Sequence, residues 1–235
     1  MSRKLILAAL AGGLSLLSLA GAPMASASIV ITNVQVPYYE GITLTATGSS
    51  PAGLFGGIGH SEAIGIAGQI DLTTNIGILG TWCVDLFRDI TLGGSYTYTV
   101  GTLTTDNRIP IPDALTPAQI NRIGALAAYG NFLMSTTPTN RNSAVVQAAI
   151  WNVEYGTTAT NSTDAGFAAL LASVQGMSLT NPGGNQLFSS QDSQGVYLNQ
   201  GLYHPNNVPE PASLALFALG LLSLLGLQMT RRQKT

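Results

Sequence analysis

The chain has 235 residues, of which 46% are hydrophobic and only 9% charged, with a formal net charge of −2. Soluble domains average roughly 25% charged residues, so solvation here falls to hydroxyls, amides and glycine, as in a β-rich extracellular domain. Between Ser28 and Glu210 stand 11 acidic residues and 4 arginines, a net charge of −7, which argues against a phosphate backbone as partner, so no nucleic acid is expected.

The first 27 residues have the layout of a secretory signal peptide: Arg3 and Lys4 precede an apolar stretch from Leu5 to Ala20, and Ala25-Ser26-Ala27 gives the small-residue cleavage pattern at Ala25 and Ala27. Alternating residues from Ile29 to Val36 and from Gly41 to Thr47 predict two strands, and the glycine-rich run Gly48 to Gly59 predicts a loop. Further strands are expected over Ala63 to Leu72, Ile78 to Phe87 and Tyr96 to Val100. Cys83, the one cysteine, falls on the second of these.

The period then changes. Thr116-Pro117-Ala118-Gln119 is a capping box with proline at the first helical position, and Gly130 is expected to end that helix. A second helix, capped by Asn142 or Ser143 and ended by Gly156, carries Val146, Ala149, Ile150 and Val153 at helical spacing, one apolar stripe to bury. Gln147 and Trp151 lie four apart on a neighbouring stripe, where the plain reading of Gln147 is a boundary residue. A third helix is predicted from Asp164 to Val174, and strands return at 186–188 and 195–198.

The fold class expected is therefore α+β: a β-rich sandwich or barrel-like sheet with an inserted two- to three-helix subdomain. The exported domain spans 28–207, β-rich at 28–105 and 178–203 and helical at 113–176. It is flanked by the signal peptide and by a C-terminal transmembrane helix. No internal repeat is visible.

The chemistry centres on two segments. An unpaired thiol in an exported protein needs a reason. Trp82-Cys83-Val84 together with Val146-Gln147-Ala148-Ala149-Ile150-Trp151 resembles the thioester domains of bacterial surface adhesins. The resemblance implies that the Cys83 sulfur displaces ammonia from the Gln147 carboxamide, leaving an internal thioester that captures an amine on a surface or matrix ligand. It also implies that Trp82 and Trp151 wall the site against water. Such a protein modifies itself and is not a turnover enzyme. It needs no cofactor and no metal. Lys4 and Lys234 are the only lysines. A protein storing an amine-directed electrophile gains by lacking amines of its own, although low lysine usage in exported proteins explains the same absence.

Other constellations are weaker. A cysteine hydrolase would need His60 or His204 as base, and His60 falls in the glycine loop while His204 precedes proline in what reads as a linker. One cysteine and two distant histidines offer no zinc spacing. Asp85 and Asp89, placed on the Cys83 strand, are too far apart for one ion and suit solvent or loop hydrogen bonds. Tyr38-Tyr39 and Tyr96/Tyr98 suggest either a sugar-stacking platform or cross-strand packing, the latter being the commoner use.

The tail opens with Val208-Pro209-Glu210-Pro211, continues through an apolar run from Ala212 to Leu227, and ends in Arg231-Arg232-Gln233-Lys234. Sixteen helical residues span roughly 24 Å, so a transmembrane helix of about 212–229 needs flanking residues to cross a core of about 30 Å. This segment, 208–235, closely resembles the PEP-CTERM sorting signal of Gram-negative exporters. It implies initial anchoring in the inner membrane, with the basic end cytoplasmic, followed by exosortase recognition and release to the envelope or extracellular matrix. The alternative function is a non-reactive structural or carbohydrate-associated biofilm matrix protein that shares only this tail.

Overall fold

A computed structural model describes residues 28–102, 115–184, 186–189 and 200–205. The expected signal peptide, the strand at 195–198 and the tail 208–235 with its span at 212–229 lie outside the described residues. Among the described residues, no helix is long and apolar enough to cross a membrane.

The strands are β1 (Ser28–Gln35), β2 (Tyr39–Thr45), β3 (Ser61–Gly68), β4 (Ile70–Thr74), β5 (Gly77–Cys83) and β6 (Tyr96–Thr102). Helices α1 (Pro117–Thr136) and α2 (Asn140–Tyr155) follow, then β7 (Thr158–Thr160), α3 (Phe167–Gly176), β8 (Gln186–Ser189) and β9 (Leu202–His204). Six strands close into a barrel in the order β1-β4-β5-β9-β8-β6, and a second sheet has the order β3-β2-β7. Of the expected architectures, the barrel is the one realised, with three helices among the described residues between β6 and β8. The helical stretch is not purely helical, because β7 falls within it and pairs with β2.

Barrel closure follows from alternation and one irregularity. Ile29 and Ile31 point inward from β1 while Val30 is exposed. A register shift between Ile31 and Asn33 then lets Val34 face inward as well, as a bulge does.

Three expectations about the elements are corrected. The single strand foreseen over Ala63 to Leu72 is two strands in different sheets. They part at Gln69, whose backbone N–H donates to Ser143 Oγ at 2.7 Å instead of to a strand. Gly130 does not end α1, which runs on to Thr136. A side chain at Gly130 would place its first carbon 2.3 Å from Trp82 Cζ2 and 2.7 Å from Val146 Cγ1, so this glycine is a contact point between helix and sheet. Thr139, not Asn142 or Ser143, caps α2, its side chain accepting from the Asn142 N–H, and Gly156 ends the helix in the left-handed region as expected.

The capping box of α1 is present in both directions between Thr116 and Gln119. Helix α2 is not a one-stripe helix. It packs against α1, α3, β2 and β3 together. Gln147 is accordingly not a boundary residue: it is 0% exposed. The glycine loop is tied down at its start, where Thr47 Oγ1 and Ser50 Oγ donate to Gly156 O at 2.6 and 3.1 Å.

Candidate functional site

Cys83 is the last residue of β5, and β4 begins at Ile70, which pairs with Thr81. The ladder to β4 therefore runs out two residues before the cysteine. On its other side β5 still has a partner, since Cys83 pairs with Leu202 of β9. The backbone groups of Cys83 left without a strand are taken by a helix side chain. Its N–H donates to Gln147 Oε1 at 3.0 Å, and Gln147 Nε2 donates to its carbonyl oxygen at 2.9 Å. The glutamine carboxamide thus acts as one residue of a missing strand, held flat against the cysteine by both its ends. A buried backbone group left unpaired costs about 1–3 kcal/mol, so this fit is strongly specified.

The sulfur is held by a tight turn that follows. Cys83 Sγ donates to Asp85 O at 3.2 Å and accepts from the Asp85 N–H at 3.4 Å. Burial raises the thiol pKa well above its ordinary value, and the nearby carboxylates of Asp85 and Glu154 push the same way. The group is therefore a neutral thiol, not a resting thiolate. Asp85 itself belongs to the loop after β5 rather than to the strand. Its Oδ1 accepts from the Phe87 N–H at 2.9 Å and its Oδ2 pairs with Arg88 at 3.0 Å, while burial lifts its carboxyl pKa.

Helix α2 braces the same loop a second time. Tyr155 Oη lies 3.3 Å from Val84 O, to which it donates, and 3.4 Å from the Leu86 N–H. The Tyr155 ring meets Phe87 edge-on at 5.9 Å between centroids. Tyr155 stands eight residues, about two turns, beyond Gln147, so its place on the same side of the helix was readable from spacing. Its role was not. Gln200, which donates from Nε2 to Asp85 O at 3.2 Å, carried no signal in the sequence.

The two tryptophans divide. Successive strand residues point to opposite faces, and Trp82 turns away from the cysteine side chain toward α1. There it is fully buried against Gly130, and its indole N–H donates to Asn131 Oδ1 at 2.8 Å. Asn131 also accepts from Gln69 Nε2 at 2.6 Å and donates to Gly80 O at 3.2 Å, so Trp82 anchors β5 to the helix. Trp151 does line the site. Together with Cys83 and Gln147 it borders a cavity of about 410 Å³, whose wall also includes Leu86, Arg88 and Asp89. Trp151 is 2% exposed, and its indole N–H meets no acceptor at hydrogen-bonding geometry. It lies on the sulfur's side, where it slightly favours the thiolate.

Neither histidine serves the sulfur. His60 is exposed in its loop. His204 is not in a linker: it is buried in β9, stacked on Phe188, with Nδ1 2.9 Å from Gly80 O, and burial lowers its pKa. Tyr96 and Tyr98 form an edge-on pair at 5.9 Å with Tyr98 buried, which is packing, not a sugar platform. Among the described residues, no group of three or more His, Cys, Asp or Glu side chains gathers to hold a metal. The cleavage residues Ala25 and Ala27 and the tail residues Val208, Pro209, Glu210, Pro211, Arg231 and Arg232 lie outside the described residues.

Residues 207–232 match the family described as the PEP-CTERM protein-sorting motif. The chain thus carries the sorting signal read from its sequence, which implies an exported, envelope-associated protein handled by an exosortase-type enzyme. The structure is similar to the N-terminal thioester domain of a surface protein from Clostridium perfringens, at 13% identity and a TM-score of 0.44, over 72% of this chain and 99% of that chain. No curated protein matches the chain.

Proposed function

We propose that this exported protein attaches covalently to a partner amine through a thioester between Cys83 and Gln147. The observation that carries the reading is the seating of the Gln147 carboxamide on the backbone of Cys83, with bonds of 3.0 and 2.9 Å, in a cavity that both residues border. The sulfur hangs on the same residue that grips the carboxamide, which makes its attack intramolecular. In forming the link, Sγ bonds to the Gln147 carbonyl carbon, the carbon–nitrogen bond breaks, and the thiol proton leaves on ammonia. The Cys83 N–H already holds Oε1, where negative charge develops in the tetrahedral intermediate.

Capture reverses the order of bonds. A partner amine attacks the same carbon, the carbon–sulfur bond breaks, an amide forms, and the amine's proton returns to sulfur. Burial that raises the thiol pKa makes the leaving thiolate costly, and with water excluded the thioester persists until an amine arrives. The Asp85 N–H, which already donates to Sγ at 3.4 Å, and the buried Trp151 N–H on the same side are donors on hand to ease that departure. One capture consumes the group, so the protein is a single-use attachment device, not a turnover enzyme. The sorting tail supports its position: retention in the inner membrane through residues 212–229 before processing, then delivery to the cell surface or matrix.

A second reading has its own support. Completing the hydrogen bonding of β5 beyond Ile70 gives Gln147 a structural task with no chemistry, as suits a non-reactive matrix protein. Intact mass separates the two. A purified protein one ammonia lighter than calculated, with the deficit abolished in Cys83→Ala and converted to an adduct by a small primary amine, supports the thioester. Full calculated mass and no adduct reject it.

A further inference from the structure

The cavity has a wall that the Cys83–Gln147 chemistry does not use. Glu62, Ala63, Ile64, Gly65 and Ile66, five consecutive residues of β3, all border it. Side chains of a strand alternate between faces, so a cavity that touches every residue in succession runs along the strand's edge and not over one face. Among the described residues, that edge pairs with no other strand, β3 being terminal in its sheet.

The register shows which backbone groups the edge offers. Ala46 N–H donates to His60 O at 2.9 Å, so His60 turns its backbone toward β2. The partners then run Thr45 with Ser61, Leu44 with Glu62, Thr43 with Ala63 and Ile42 with Ile64. Alternation along an antiparallel ladder directs the N–H and C=O of Glu62 and Ile64 to β2, and those of Ser61 and Ala63 outward. Natural edges are commonly guarded by lysine, proline or short length. This eight-residue strand, Ser-Glu-Ala-Ile-Gly-Ile-Ala-Gly, has no lysine and no proline, and its Ser61, Glu62 and Ala63 are exposed.

We infer that the partner presents its amine on an extended peptide segment that adds to the free edge of β3 as a further strand, sending a lysine side chain into the cavity toward Cys83 and Gln147. The inference rests on the proposed thioester reading and names its substrate class. A lysine stem suits an apolar wall of Ile64, Ile66, Ile70, Leu86 and Ile90, and its ammonium suits the carboxylates Glu62 and Asp89, while Arg88 is held by Asp85. A second copy of the chain is a poor donor, since residues 5 to 233 contain no lysine.

The test compares rates of adduct formation by intact mass for three probes: propylamine, an N-acetylated alternating Thr/Val peptide with a central lysine, and the same peptide N-methylated at alternate residues. Strand addition predicts that the unmodified peptide reacts faster than its N-methylated form by roughly tenfold or more, the equivalent of about one net hydrogen bond. Ala63→Pro removes an outward N–H while sparing the bonds to β2. It should abolish the unmodified peptide's advantage over its N-methylated form, with folding checked by circular dichroism and a propylamine adduct by intact mass showing that the thioester is still formed. Equal rates for the two peptides overturn the edge-pairing inference while adducts with propylamine leave the thioester standing. Absence of any adduct and of the ammonia deficit removes both.

Discussion

A double-mutant cycle at Cys83 and Gln147 distinguishes a covalent link from a hydrogen-bonded pair by energy alone. The two hydrogen bonds that Gln147 makes are to the backbone of residue 83, so Cys83→Ala keeps both and loses only the sulfur. Without a covalent link, Cys83→Ala should cost about 1 kcal/mol for the small buried group and up to about 1–3 kcal/mol more for the Asp85 N–H that loses the sulfur as acceptor. Gln147→Ala strands the buried Cys83 N–H and C=O, at about 1–3 kcal/mol each. Because the two residues are hydrogen-bonded neighbours, the non-covalent pair should couple by about 0.5–3 kcal/mol at most. A thioester changes this. It closes a loop across a separation of 64 residues, which by the loop-entropy relation stabilises by about 4 kcal/mol. Either substitution removes that link, so the double variant should fall short of the sum by about 4 kcal/mol. Denaturant unfolding gives the energies, with intact mass recorded before and after so that hydrolysed molecules are excluded. A coupling below about 3 kcal/mol refutes the covalent reading.

Gly130→Ala should destabilise by about 1–3 kcal/mol or more, because its added carbon falls 2.3 Å from the Trp82 ring in a packed core; thermal or denaturant midpoints check it. His204 has a pKa held below its ordinary 6.5 by burial, so the unfolded chain takes up a proton before the folded one does. Stability should be full above about pH 6.5 and fall below it, by up to about 1.4 kcal/mol per pH unit, and His204→Gln should flatten that slope relative to the native chain. Trp151→Phe removes a buried N–H that has no acceptor, so it should change stability by no more than about 1 kcal/mol while slowing amine capture measured by adduct mass.

Local signals were legible. The reciprocal cap of Thr116 and Gln119 and the left-handed stop at Gly156 involve neighbours in sequence, and spacing alone located them. So did the alternation of β1 and β6. Failures came where a residue answered to a distant partner. Gly130 resembles a helix stop, yet its lack of a side chain serves Trp82, which lies on another element. Gln69 divides what looked like one strand because a serine on α2 takes its N–H. His204 looked like linker because β9 is three residues long and is held by neighbours from across the chain.

The sequence by itself determined the sorting tail, the start of α1 at Thr116 and the stop of α2 at Gly156, the lysine-poor and acidic character of the exported part, and the pair of residues worth bringing together. Only the tertiary structure decided how they meet. Strand β4 begins too late to cover Cys83, and a helix glutamine fills the gap with both ends of its amide. That arrangement depends on where one strand starts, how a helix crosses it, and which face each tryptophan takes. Contacts among residues remote in the chain are set by packing, which no local spacing encodes.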